Sequence, residues 1–165
     1  MKKRLLAFLM LSILFLSACS REQSVCPEQV LLSLTEAEIG LPAGQIYLAD
    51  ADQTQPSYLS PKVMATLYGQ GEPPWQLSLI KDYGIFLSTA QHPCEFAVFL
   101  CYSHSDTDQV AAMCQARLDA LCIHYKDTSY QAYTQNARVA IMGKYVLLLI
   151  SSDAEHALDV ARRAL

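Results

Sequence analysis

The sequence predicts an α+β domain: an antiparallel sheet of about four strands in β-β-α-β-β-α order, with the helices packed on one face. Apolar runs of strand length occur in pairs, and an apolar stripe at helical spacing follows each pair. The chain has 165 residues with an apolar fraction of 52%, which is enough for one packed domain but hardly for two. One or two short helices are predicted to precede the sheet.

Residues 1–18 predict a lipoprotein signal peptide rather than part of the fold. Three basic residues, 2–4, precede an apolar run over residues 5–16. As a helix this run reaches only about 18 Å, whereas a bilayer core needs roughly 30 Å. The run ends in Leu16-Ser17-Ala18-Cys19, which resembles the bacterial lipobox. That resemblance implies a diacylglyceryl group on Cys19; the alternative is an ordinary secretory signal that contains a cysteine by chance.

The charge of the chain excludes some partners and requires an anchor. The formal net charge of -4 provides no basic surface for a phosphate backbone, so no nucleic-acid partner is expected. Removal of residues 1–18 leaves nine basic against sixteen acidic residues, a formal charge of -7. Such a domain is repelled by anionic lipid. We therefore expect residues 19–27 to be a short tether and residues 28–165 a single domain, held by its acylated cysteine on the extracytoplasmic face of the cell membrane.

The first part of the domain predicts two short helices separated by irregular chain. Residues 28–39 form a weakly amphipathic helix candidate that ends at Gly40, and residues 41–59 are predicted to be extended chain and loop. Ser60 and Pro61 are typical of an N-cap and a first helical residue. They begin a helix that Gly69 ends.

Strands and helices then alternate over the rest of the chain. Residues 75–80 and 83–88 predict one bent strand or two, and residues 95–102 predict another. A capping box at residues 105–108 begins a helix over residues 106–125. Gly143-Lys144 predicts a type II′ turn between strands at 137–142 and 145–151. Ser152 or Asp153 is the expected N-cap of a last helix, whose apolar stripe runs from Ala154 to Leu165.

Two stretches of the sequence carry a family resemblance. Residues 95–121 form an apolar strand and a capped helix that contains Arg117-Leu118, and residues 136–154 contain Gly143-Lys144-Tyr145-Val146 followed by a helix start. Both stretches resemble the bacterial lipoproteins that carry the domain of unknown function 4358. The resemblance covers the last 80 to 100 residues or so, and it implies a cell-surface lipoprotein of a family without an established activity.

Five cysteines remain beside Cys19, and an odd number cannot pair fully within one chain. Small buried hydrophobic residues are the expected role for most of them. An antiparallel packing of the central helix on strand 95–102 brings Cys94 and Cys122 to a similar height, so a disulfide between them is an alternative. The five are Cys26, Cys94, Cys101, Cys114 and Cys122.

No constellation of residues predicts catalysis or a metal site. His92 and His124 flank Cys94 and Cys122, but residues 122 and 124 of a helix point about 200° apart, which disfavours a shared zinc ion. Cys101 and His104 lie at a strand end without a residue placed to orient the histidine. No cofactor, metal or catalytic residue is therefore predicted.

Three aromatic residues leave a choice between ligand binding and packing. Tyr68, Trp75 and Tyr83 are placed either to line a ligand groove or to form core. The sequence thus favours a non-enzymatic, membrane-anchored domain that binds an envelope protein or a small ligand. The alternatives are an extracytoplasmic thiol-based redox enzyme that uses Cys94, Cys101 or Cys122, and a structural subunit of a larger assembly.

Overall fold

The computed structural model describes residues 24–69, 71–89 and 91–165. The predicted signal peptide and lipidation site, including Cys19, lie outside the described residues. The helices are α1 (Pro27–Ala37), α2 (Pro61–Tyr68), α3 (Thr107–His124), α4 (Gln131–Gln135) and α5 (Ala154–Ala164). The strands are β1 (Gly44–Leu48), β2 (Ile80–Ser88), β3 (Glu95–Cys101), β4 (Arg138–Met142) and β5 (Tyr145–Ile150).

The described strands form one antiparallel sheet in the order β1-β2-β3-β5-β4. The α+β class is therefore confirmed. The β-β-α-β-β-α succession is found over residues 80–164, with the short helix α4 inserted before β4. The predicted count of four strands is wrong, because β1 adds a fifth strand at the edge next to β2.

Helices cover both faces of the sheet, so the prediction of helices on one face is wrong. Helices α1 and α5 pack with Phe96, Val98 and Leu100 of β3, whereas α2 and α3 pack with Ala97 and Phe99 of the same strand. Every residue of β3 and β5 is buried. A strand with one wet face alternates apolar and polar residues, but these two strands are almost continuously apolar. The sheet is thus the middle of three layers.

Two segments differ locally from the prediction. Residues 41–59 contain β1, whose pairing of Gly44 with Ser88 joins positions far apart in sequence. In the segment 75–80, Trp75–Leu79 form a 3₁₀ helix instead of a strand, and β2 begins at Ile80. The preceding Pro74 accepts a hydrogen bond from the Leu77 amide at 3.0 Å, and proline favours the start of a helix because its φ is fixed.

The predicted helix ends and turns are mostly found where the local sequence indicates them. The Ser60 side chain accepts from the Val63 amide at 3.3 Å, and Asp153 rather than Ser152 caps α5 by accepting from the His156 amide at 3.0 Å. Gly143 has a φ of +60°, as the first residue of a type II′ turn requires. The capping box lies two residues earlier than predicted, at Ser103 and Asp106.

The packed domain begins earlier in the sequence than predicted, because the last residues of the predicted tether are held against it. The Tyr145 hydroxyl donates to the Val25 carbonyl at 2.6 Å, and Val25 packs against the apolar core beneath α1 and α5. Residues 25–27 therefore belong to the packed domain. In the described ranges, no helix has the length and apolarity needed to cross a membrane.

Candidate binding site

A cavity of about 470 Å³ lies at one end of the sheet. It is larger than a second cavity of about 250 Å³ between α2 and β2, and its volume falls in the range typical of ligand sites. Five separate segments meet around it: the chain before α1, the start of β2, the end of β3, the β4–β5 turn and the last turn of α5. Their meeting follows from the antiparallel order, which places these ends together.

Lys81 reaches the cavity from an irregularity in the sheet. Ile80 pairs with Cys101 and Asp82 pairs with Leu100, so Lys81 is an extra residue opposite consecutive residues of β3. Such a β-bulge interrupts the ladder and changes the direction of a side chain. Lys81 is exposed and lines the cavity.

The β4–β5 turn contributes a second lysine to the cavity and lies next to a histidine of its lining. The Lys144 carbonyl accepts from the Cys101 amide at 2.9 Å, which fixes the turn to the end of β3. Atom Cε1 of His104 lies 3.9 Å from the position that a Cβ atom would take at Gly143. Lys144, Gly143 and His104 therefore line the same part of the cavity.

Basic residues are concentrated at this cavity. The described residues contain eight Lys and Arg against fifteen Asp and Glu, yet Lys81, Lys144 and Arg162 line the cavity and no acidic residue does. Arg162 also pairs with Asp159 at 2.8 Å, and both side chains are 58% exposed. An exposed pair of this kind contributes little and exchanges readily. The cavity is a positive region on an acidic domain.

Apolar side chains form the inner wall of the same cavity. Leu100 is buried and Met142 is half-buried, and both belong to the core beneath α1 and α5. Tyr102 is 62% exposed at the mouth. The cavity therefore offers an apolar wall with cationic groups around it.

The cysteines are unpaired thiols in the described part of the chain, and most of them are buried. Cys94 packs beneath α1 and α5, whereas Cys122 packs on the opposite face, so the disulfide considered between them does not form. The Cys122 thiol instead contacts the Thr134 carbonyl at 3.6 Å. Cys114 is fully buried and Cys26 is exposed.

Burial makes the thiols of the sheet poor nucleophiles. It raises the pKa of Cys94 to about 12. It also raises the pKa of Cys101, which lines the cavity, to about 11, with a smaller contribution from the Asp106 charge. Both thiols are protonated at neutral pH, and the thiolate is the reactive form.

The histidines considered as zinc ligands have other surroundings. His92 Nδ1 accepts from the Cys94 amide at 3.1 Å, and its ring lies 4.8 and 4.9 Å from those of Tyr130 and Tyr133. Burial lowers the pKa of His92. The His124 ring packs on Tyr125. Within residues 24–69, 71–89 and 91–165, no three His, Cys, Asp or Glu side chains are arranged to hold a metal ion.

A buried ion pair joins β3 to two helices on the opposite face from α1. Glu95 is 2% exposed, and its Oε2 accepts from Arg117 Nε and Nη2 at 3.2 and 2.9 Å. The Tyr68 hydroxyl donates to Oε1 at 2.8 Å. Burial and the Glu95 charge raise the pKa of Tyr68 well above its usual value. Both carboxylate oxygens are thus occupied, which makes this a structural pair.

The three aromatic residues considered for a groove do not form one. Tyr68 is 5% exposed and stacks edge-on against Phe99, with ring centroids 5.5 Å apart. Tyr83 also packs against Phe99, at 6.4 Å. Trp75 is 60% exposed in the 3₁₀ helix. Tyr68 and Tyr83 are therefore part of the core.

Comparisons with known proteins add no relative: no protein-family profile matches the chain, and no curated protein or solved structure gives a significant match. The resemblance to lipoproteins that carry the domain of unknown function 4358 accordingly stays a prediction. What is established is the class, an α+β domain with a three-layer arrangement and a basic, partly apolar cavity at one end.

The sequence alone missed the cavity and the ion pair. Lys81, Lys144 and Arg162 are distant in sequence, so no local pattern connects them. The ion pair did leave a signal. Glu95 begins an apolar strand and Arg117 falls within the apolar stripe of α3, so each places a charge at a core position. Two such charges of opposite sign are expected to pair, because an isolated buried charge is very costly.

Proposed function

We propose that the chain is a lipid-anchored, non-enzymatic binding domain of the bacterial cell envelope, tethered through an acylated Cys19 and holding its ligand in the basic cavity. The observation that carries this proposal is the position of the cavity. Ser24 and Val25 line it, and they lie five and six residues after Cys19. The cavity is therefore at the end of the domain from which the predicted anchor extends.

The length of the connection supports a location close to the bilayer. The six residues 20–25 span at most about 21 Å when fully extended. The hydrogen bond from Tyr145 to Val25 holds the last of these residues against the cavity wall. Two acyl chains are sufficient for stable anchoring. The cavity then faces the membrane or the layer of envelope next to it.

The anchoring is tested with the Cys19→Ala variant of the full chain in a bacterial host that acylates lipoproteins. We expect the wild-type chain in the membrane fraction and in the detergent phase on extraction, and the variant to remain unprocessed or to be released. Cys26→Ser is the matched control, because Cys26 is exposed and close in sequence but outside the lipobox. Detergent partitioning of processed Cys19→Ala chain equal to that of the wild type would refute the anchor.

A further inference from the structure

The charge distribution suggests which ligand the cavity accepts. The described residues carry an excess of acidic groups, and that excess is absent from the cavity lining. Two of the acidic groups near it have partners: Asp106 accepts from the Ser103 amide at 2.9 Å and from its hydroxyl at 2.7 Å, and Asp159 pairs with Arg162 of the cavity lining. Asp82 adjoins Lys81 and interacts with its charge, but it does not line the cavity, so Lys81 and Lys144 give this concave site a net positive lining.

The backbone places these cations with some rigidity. Lys81 projects from the bulge between Ile80 and Asp82, and Lys144 is the second residue of a two-residue turn. Lys81 belongs to strand β2 and Lys144 to the tight turn that joins β4 to β5, so neither lies on a long loop. The exposed Asp159–Arg162 pair can open at low cost, which would direct a guanidinium toward a ligand. Lysine and arginine groups in this arrangement suit a phosphate oxygen.

The apolar wall argues for a ligand that is more than a free anion. Leu100 and Met142 lie behind the cations, and Tyr102 stands exposed at the mouth. An inorganic ion gains nothing from such surfaces, whereas an amphiphile buries apolar groups there. In a chain anchored at Cys19, the nearest abundant amphiphiles are the lipids of the same membrane.

We propose that the cavity binds the phosphodiester headgroup of an anionic phospholipid, with the phosphate between Lys81 and Lys144 and the start of the apolar chains against Leu100 and Met142. This rests on the proposed function, since the anchor brings the cavity to the bilayer. The acyl anchor holds the acidic domain at the membrane. Binding of the headgroup then orients the domain so that its cavity end faces the bilayer.

The test is native mass spectrometry of the full acylated chain released from mixed micelles. The micelles contain equal amounts of phosphatidylglycerol and phosphatidylcholine, and the two lipids have identical acyl chains. We expect one bound phosphatidylglycerol, retained at least tenfold over phosphatidylcholine. The variant Lys81→Gln/Lys144→Gln should lose that preference by about tenfold or more, because it removes both charge-assisted contacts. The matched control is Lys62→Gln/Lys126→Gln, which neutralises two exposed lysines outside the cavity and should keep the preference.

A second arm separates the lipid from a free phosphate. Glycerol 3-phosphate is added at the concentration of the lipid, and we expect it neither to bind nor to displace the lipid. Its retention in place of the lipid would overturn the lipid assignment. Equal retention of the two lipids by the wild type, or an unchanged preference in Lys81→Gln/Lys144→Gln, would overturn the proposal. Either result leaves the anchored binding function to be decided by the Cys19→Ala fractionation, so the two failures are distinguishable.

Discussion

Single side chains define the character of the cavity and of the thiols beside it. Lys81 lies in the cavity because one extra residue interrupts the pairing of β2 with β3. Cys101, one residue along the paired strand from Leu100, is 1% exposed even though it contributes to the same cavity. The cationic groups are therefore accessible at this site, and its thiol is not.

The reactivity of the thiols tests the redox alternative. We expect Cys26 to react rapidly with an aromatic disulfide reagent at pH 8, because it is exposed. Cys122 should react more slowly, and Cys94, Cys101 and Cys114 should react only after unfolding. With a pKa of about 11 for Cys101, about a thousandth of this thiol is ionised at pH 8.

The measurement is the number of thiols released in each kinetic phase from the detergent-purified full chain, with and without guanidinium. Cys26→Ser is the control, and it should abolish the fast phase. A fast phase that persists in this variant and disappears on substitution of Cys94, Cys101 or Cys122 would support the redox enzyme instead.

At the scale of elements, the Glu95–Arg117 pair ties the central strand β3 to helix α3, and Tyr68 extends the connection to α2. A buried ion pair adds little net stability relative to apolar residues of the same volume. Loss of one partner is different, because it leaves the other charge buried without compensation. The pair therefore specifies how α3 lies on the sheet.

The variant Arg117→Met is expected to lower the free energy of unfolding by about 3–5 kcal/mol. The double variant Glu95→Met/Arg117→Met should recover most of this loss, since no charge is then left in the core. Urea unfolding monitored by circular dichroism measures both. Arg163→Met, at an exposed position of α5, should change stability by less than about 0.5 kcal/mol. If Arg117→Met lowered the free energy of unfolding no more than Arg163→Met does, the assignment of Glu95 and Arg117 as an ionised buried pair would be incorrect.

Elements with local signals could be predicted from the sequence, and elements that depend on distant partners could not. Ser60-Pro61 and Gly143-Lys144 specify a helix start and a turn through their own chemistry, and both are found. Strand β1 has only five residues, none of them buried, and it exists because of its pairing with β2. The apolar run of β3 after Glu95 is itself typical of a strand that is buried on both faces.

The candidate site was beyond prediction for the same physical reason. Its cations come from the start of β2, the β4–β5 turn and α5, and only the folded sheet places these ends together. The sequence places Arg117 among the apolar residues of α3 but does not show its partner. Since Glu95 is 22 residues away in sequence, the pairing required knowledge of how α3 packs.

At the scale of the whole molecule, the basic cavity and the N-terminal residues of the described chain lie at the same end of the domain. The described residues are acidic as a set, yet the end with Ser24 and Val25 carries the basic cavity. Helix α1 runs from this end for eleven residues, about 16 Å. Ile39, which follows it, is 94% exposed, so it marks the opposite side of the domain along this helix. The anchor that we propose at Cys19 would orient the domain with the cavity toward the lipid.

The most direct test of this orientation is energy transfer from a single tryptophan to an acceptor on the lipid headgroups, in vesicles that contain the acylated full chain. Trp75 is the chain's only tryptophan. The compared variants are Trp75→Phe/Tyr102→Trp, with the donor at the cavity mouth, and Trp75→Phe/Ile39→Trp, with the donor beyond α1. We predict markedly stronger transfer from the first. Transfer from the second that equals or exceeds it would contradict the account, because the cavity would then not face the membrane.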